Sequence, residues 1–163
     1  MTDFEDDRAV AAVAAAVVRA ATFEAGDVAA AALVDALGVS WAGIWQTDYV
    51  MRRLHPIGSS PIEGARRSLD IDTTAAGQVF RTQQAIVTVT GQVEVLIIPL
   101  TSRGHRVGVV QLGRRGAWTD SLQGRAVRCA ELLAPLLWEA GRGEDVTEQR
   151  RRSTRLSLPA EMQ

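Results

Sequence analysis

Residues 93–113 read VEVLIIPLTSRGHRVGVVQLG, and this stretch decides the fold. Two apolar, β-branched runs flank a short polar turn at Ser102, Arg103 and Gly104. Gly104 can take a positive φ, and the runs suit a pleated, buried surface, so the pattern predicts a β-hairpin. Leu96, Ile97 and Ile98 leave no polar face, which predicts a central strand over 93–100 with both faces covered. Pro99 has no N–H to give to a ladder, so pairing there is expected to be one-sided or to stop soon after.

Toward the N-terminus, Val10, Val13 and Val17 recur at helical spacing, predicting a first helix over 8–21 with acids ahead of it at its positive end. A second helix is expected from Asp27, a suitable N-cap, to Leu37, with Gly38 as its terminator. Two strands follow over 41–47 and 49–57, around a turn near Asp48. Trp41, Gly43 and Trp45 fall on one face of the first, Ala42 and Ile44 on the other. Residues 58–67 read as loop and Leu69 with Ile71 as a short extended segment. A short helix over 75–82 is capped by Thr74, and a strand over 85–89 leads into the central hairpin.

Toward the C-terminus, a long helix is expected over 120–140. Asp120 and Gln123 resemble a capping box, Leu122, Leu132, Leu133, Leu136 and Leu137 form the apolar face, and Pro135 introduces a kink. Beyond Gly141 the composition turns charged, with Arg150, Arg151 and Arg152 in a row, as in a surface helix or linker. The whole order predicts an α+β fold, a central antiparallel sheet of five or six strands with helices on both faces.

Composition narrows the function. The apolar share of 47% supports a real core, and a formal net charge of −1 argues against nucleic acid or a membrane as partner. The single Cys129 excludes an internal disulfide and a multi-cysteine metal site. No apolar run is long enough to span a bilayer and the apolar residues 9–18 lack the flanks of a signal peptide, so a cytoplasmic protein is expected. All 18 basic residues are Arg and Asn is absent, which points to a genome rich in G and C, as in many bacteria.

Four pieces in order resemble the GAF domain, a sensory module: AGQVFRTQQAI at 76–86, IPL at 98–100, VGVVQL at 107–112 and Trp118-Thr119-Asp120. The resemblance covers about 22–140 and implies a regulatory domain that controls an attached output domain. It divides the chain into an N-terminal helix, 1–21, open to dimerisation, a sensor domain, 22–141, and an Arg-rich linker, 142–163. The tail LSLPAEMQ at 156–163 resembles the entry into the catalytic domain of bacterial metal-dependent Ser/Thr phosphatases of the stress-regulator type. On that resemblance the chain is the sensor part of such a phosphatase, with the linker running toward a missing catalytic domain, and is not itself an enzyme.

The resemblance also places a ligand between the sheet and the segment 69–82. Trp41 and Trp45 can wall a site for a flat apolar ligand. Thr73, Thr74 and Ala75 form a helix N-terminus that can hold an anionic group. His55, Ile71 and Ile98 complete the candidate set. Each has an ordinary alternative: core packing for the tryptophans and for Cys129, capping for Thr74, a surface position for His55 and His105. No cofactor is expected. The cyclic-nucleotide signature of GAF domains needs Asn and Lys, both absent here, and no bilin or metal motif is present. Free methionine sulfoxide reductases of GAF type need several cysteines. The expected partners are a second copy, in a homodimer paired through its terminal helices, and a small ligand of unknown identity. The alternative is a dimerisation or protein-interaction module that binds no ligand.

Overall fold

The computed structural model describes residues 2–21, 24–61 and 67–157, with the backbone alone for Thr2 and for 143–157. Part of the expected loop, at 62–66, and most of the phosphatase-like tail, at 158–163, lie outside the described residues, as do the side chains of Arg150, Arg151 and Arg152.

The elements are α1 (Thr2–Arg19), α2 (Ala25–Leu37), β1 (Trp41–Thr47), β2 (Arg53–Ser60), β3 (Leu69–Asp70), α3 (Ala75–Thr82), β4 (Ile86–Thr90), β5 (Val93–Ser102), β6 (His105–Arg115) and α4 (Asp120–Ser157). The six strands form one antiparallel sheet in the order β3-β2-β1-β6-β5-β4. The predicted central hairpin is β5–β6. Its turn has positive φ at both Arg103 and Gly104, the twist that a two-residue hairpin needs. Pro99 pairs with Val109 of β6 alone, because the β4 ladder ends at Ile86 opposite Ile97. The missing N–H therefore faces no strand that would need it.

Strand alternation sends β5 to two different cores. Leu96, Ile98 and Leu100, with Ala42, Ile44, Val110 and Leu112 from the neighbouring strands, meet Val13, Leu33, Cys129 and Leu133 from α1, α2 and α4. Val95 and Ile97, with Trp45, Leu54 and Val109, meet Ile71 and the face of α3 that carries Ala76, Val79 and Phe80. Three helices thus cover one side and the 69–82 segment the other, as the sequence predicts. On the helix side, α2 lies directly on β2. A Cβ at Gly26 would stand 2.0 Å from the Ile57 carbonyl oxygen, so only glycine permits this approach.

Several local expectations are corrected. Helix α1 begins at Thr2 rather than 8, and Val13 and Val17 are buried against α2 and α4. The stripe expected to serve a dimer is covered within the chain. Asp27 is not a cap: α2 begins at Ala25, and the Asp27 carboxylate accepts the Ser59 N–H at 3.0 Å, tying helix to strand. Strand β2 starts at Arg53, not 49, and includes 58–60. Asp48 accepts the N–H groups of Arg52 and Arg53 at 2.9 and 3.4 Å, and Met51 takes a left-handed conformation, so 48–52 is a turn. The cap of α4 is Thr119, whose hydroxyl accepts the Leu122 N–H at 3.2 Å, in place of Asp120. Helix α4 runs through Pro135 and across the 141/142 boundary to Ser157 without a break, about 57 Å of helix.

Candidate functional site

The α3 side of the sheet is where the residues with ligand-binding chemistry collect. On β1, Trp41, Gly43 and Trp45 face this side, in register with Gly113, Gln111 and Val109 of β6. The two indoles lie over glycines. A Cβ at Gly113 would stand 2.0 Å from Trp41 Nε1, and one at Gly43 would stand 2.6 Å from the Trp45 ring. Absent side chains under each ring let the indoles lie flat on the sheet. Trp45 is only 3% exposed and its Nε1 donates to the Arg67 carbonyl at 2.9 Å. Its ordinary role is therefore core packing, while Trp41 is half-buried at the edge of the same cluster.

Above these rings sit Ile71, buried in the cluster, and the start of α3. A Cβ at Gly77 would meet the Ile71 carbonyl at 2.0 Å, so the helix rests against the 69–71 backbone. Thr74 caps α3. Its hydroxyl accepts the Gly77 N–H at 3.0 Å and donates to the Asp70 carbonyl at 2.6 Å. The Thr73 N–H goes to the Asp70 carboxylate at 3.1 Å. Two of the N–H groups at this helix start are thus already taken by the chain. Beside the cap, Thr73 and Ala75 are exposed.

Two of the predicted residues are not brought to this place. Ile98 points to the opposite face and is buried among α1, α2 and α4. The run Leu96-Ile97-Ile98 has no polar alternation to show which residues face which layer, so only the pairing register decides it. His55 lies opposite Gln46, one position out of phase with Trp45, and is exposed at the border of the sheet. Its Nδ1 is 2.9 Å from the Ser68 hydroxyl and its Nε2 is 3.9 Å from Asp48. The Asp48 carboxylate is held below the usual range, first by the Arg52 N–H and in lesser part by His55. This pairing organises a turn and stands apart from the tryptophans.

One residue was missed. Gln111 sits in the middle of β6 on the Trp-bearing face, between Gly43 and Ile97, and is half-buried. Its side-chain amide makes no hydrogen bond to the described residues and reaches solvent, since among them no buried side-chain N or O lacks a partner. Its signal is legible in the sequence: Val109, Gln111 and Gly113 alternate along one strand, and the glutamine interrupts an otherwise apolar face.

The remaining candidates are structural. Cys129 is fully buried on the helix side, and burial pushes its thiol up to about 11. His105 is exposed, with its ring stacked on Trp138 at 5.4 Å. No group of His, Cys, Asp and Glu among the described residues could hold a metal ion. No helix among them is long and apolar enough to cross a membrane.

No protein-family model and no curated protein matches the chain. Solved structures do. The GAF domain of a phosphoenolpyruvate-protein phosphotransferase from Coxiella burnetii superposes with a TM-score of 0.74 at 13% identity, covering 87% of this chain and 98% of that one. A putative GAF sensor protein from Burkholderia vietnamiensis gives 0.73 at 15% identity, covering 88% and 94%. The free methionine-R-sulfoxide reductase of Neisseria meningitidis gives 0.70 at 16% identity, covering 85% and 91%. With the order of strands, the two-sided core and these superpositions together, the chain has a GAF-like α+β fold.

Proposed function

We propose that this chain is a non-catalytic sensory or regulatory domain that binds a small, flat, largely apolar ligand on the Trp-bearing face. The observation that carries the reading is Gln111. A half-buried amide that reaches solvent from among Trp41, Trp45 and Ile97 is available to orient a ligand with one polar edge. Ile71, Thr73, Thr74 and Ala75 border the same place from above, and an anionic group on the ligand would meet the start of α3. Binding would be relayed through α4 to an output domain beyond the chain's last residues, which the tail suggests is a Ser/Thr protein phosphatase. The active form in this reading is a cytoplasmic homodimer.

A thiol-based enzyme is disfavoured by the position of Cys129. A reacting cysteine works as an accessible thiolate, whereas this thiol is buried and held protonated. The second reading, an interaction module that binds no ligand, draws support from Trp45, whose ring fills its own side of the sheet.

Native mass spectrometry of protein purified from its own host tests the first reading. The expected result is a bound small molecule on the wild type that is lost from Gln111→Leu while the variant keeps its fold. Wild-type protein that carries no added mass, and whose melting temperature a broad metabolite panel leaves unmoved, sinks the sensory reading and leaves the interaction module.

A further inference from the structure

The two borders of the sheet are unlike each other. At one, β3 is two residues long and carries Asp70, with Asp72 just after it. Short length and charge are how edge strands ordinarily avoid pairing with other chains. At the other, β4 is Ile86-Val87-Thr88-Val89-Thr90. From Gln83 to Val93 there is no charge and no proline, and among the described residues β4 pairs with β5 alone. Val87 is 39% exposed and Val89 68%.

The hairpin geometry says which backbone groups face outward. β4 and β5 are joined by the two residues Gly91 and Gln92, and Thr90 lies opposite Val93. A two-residue hairpin closes on a hydrogen-bonded pair, and bonded pairs alternate from there. Thr90, Thr88 and Ile86 therefore bond to β5, while Val87 and Val89 turn their N–H and C=O groups to the open side. Val87 lies opposite Leu96, so both valine side chains stand on the helix-covered face.

From this we infer that β4 is a pairing edge for a second copy of this chain, joined antiparallel about a two-fold axis at Thr88. The strand is complementary to itself in that register and in that sense. Val87 of one copy meets Val89 of the other, twice. All four of these residues have outward backbone groups, so the two pairs exchange four hydrogen bonds. The two exposed valines of each chain cover one another, and Thr88 faces Thr88, a favourable cross-strand pair. No charge meets a like charge. A contact in which one patch serves both partners is the geometry of a closed dimer. The inference takes up the homodimer of the proposed function and gives it a surface other than the terminal helices, whose stripe α1 has already buried.

The test is sedimentation of the full chain at micromolar concentration, with Val89→Glu, Val87→Arg and, as the helix control, Val18→Glu on the exposed side of α1. The wild type is expected to be dimeric. Each edge variant alone should weaken the dimer at least about tenfold, and Val18→Glu should leave it unchanged. An equimolar mixture of the two edge variants should restore it, because the introduced carboxylate of one chain then lies opposite the introduced guanidinium of the other. Hydrogen exchange on the wild type adds a readout that needs no variant: the Val87 and Val89 amides should be protected at high concentration and unprotected on dilution. A wild-type monomer overturns the homodimer altogether. A dimer that survives Val89→Glu, that Val18→Glu weakens as much, or that leaves both amides unprotected overturns the edge and keeps a dimer built elsewhere.

Discussion

The two faces of one sheet have been given different work. The helix-covered face is apolar at its centre, with Gln46 and Glu94 toward its ends, and α1, α2 and α4 close over it. The opposite face is just as well filled near Phe80 and Val79, yet it carries two indoles seated on glycines and an amide that reaches solvent. Both belong to the same strands, one residue out of phase. The lesson is that a buried strand can serve stability on one side and recognition on the other, because successive side chains leave the sheet in opposite directions.

If the two faces are equally packed, truncating a large side chain on either should be equally severe. Ile98→Ala on the helix side is expected to cost about 2–5 kcal/mol and Phe80→Ala on the other about 3–5 kcal/mol, read from urea melts. A loss well under 1 kcal/mol at Phe80 would show that α3 is held loosely and that the second face is not core.

The helix side depends on a close approach of α2 to the sheet. Gly26→Ala should cost about 1–3 kcal/mol, since its Cβ would collide with the Ile57 carbonyl and α2 would have to lift off β2. Unchanged stability in the same melts would mean that this layer can shift freely.

A smaller effect is expected from alkaline pH on the helix side. Burial raises the Cys129 thiol from 9.0 to about 11. Below about pH 9 the thiol is neutral folded or unfolded, so burial is not penalised. Above that the unfolded chain gives up the proton first, and stability falls as pH rises toward about 11. Cys129→Ala should flatten that part of the curve. A wild type and variant that decline in parallel would remove the thiol as the cause.

The smallest change in stability should come from the residue of most interest. Gln111→Leu replaces an unpartnered amide with an apolar side chain of similar size, so the melt should move by less than about 1 kcal/mol in either direction. A large loss would mean that the amide has a structural partner, and the contrast between the faces would narrow to the tryptophans.

Much of this was legible beforehand because it depends on neighbours in the chain. The β5–β6 hairpin, the left-handed Gly38 after α2 and the Thr74 cap of α3 each follow from a few consecutive residues whose backbone preferences agree with their place. The alternation of β1 put Trp41 and Trp45 on one face, and the structure keeps them there with Ile71. The tight turn at Asp48 was foreseen, but its length was not. Tyr49, Val50 and Met51 have strand-forming side chains, and Asp48 draws the backbone of the following residues into a turn that leaves Tyr49 94% exposed.

What the sequence determined by itself is the α+β class, the number and order of most elements and the two-sided burial of β5, because these rest on periodicity and local backbone preference. Only the tertiary structure decided that Ile98 and Val13 share one core while Trp45 and Ile97 share another. It also decided that His55 stands apart from the tryptophans, that Gln111 stands among them, and that β4 is left as an open edge. The physical reason is register: a shift of one residue in strand pairing turns every side chain to the other face, and register is settled by contacts between residues far apart in the chain.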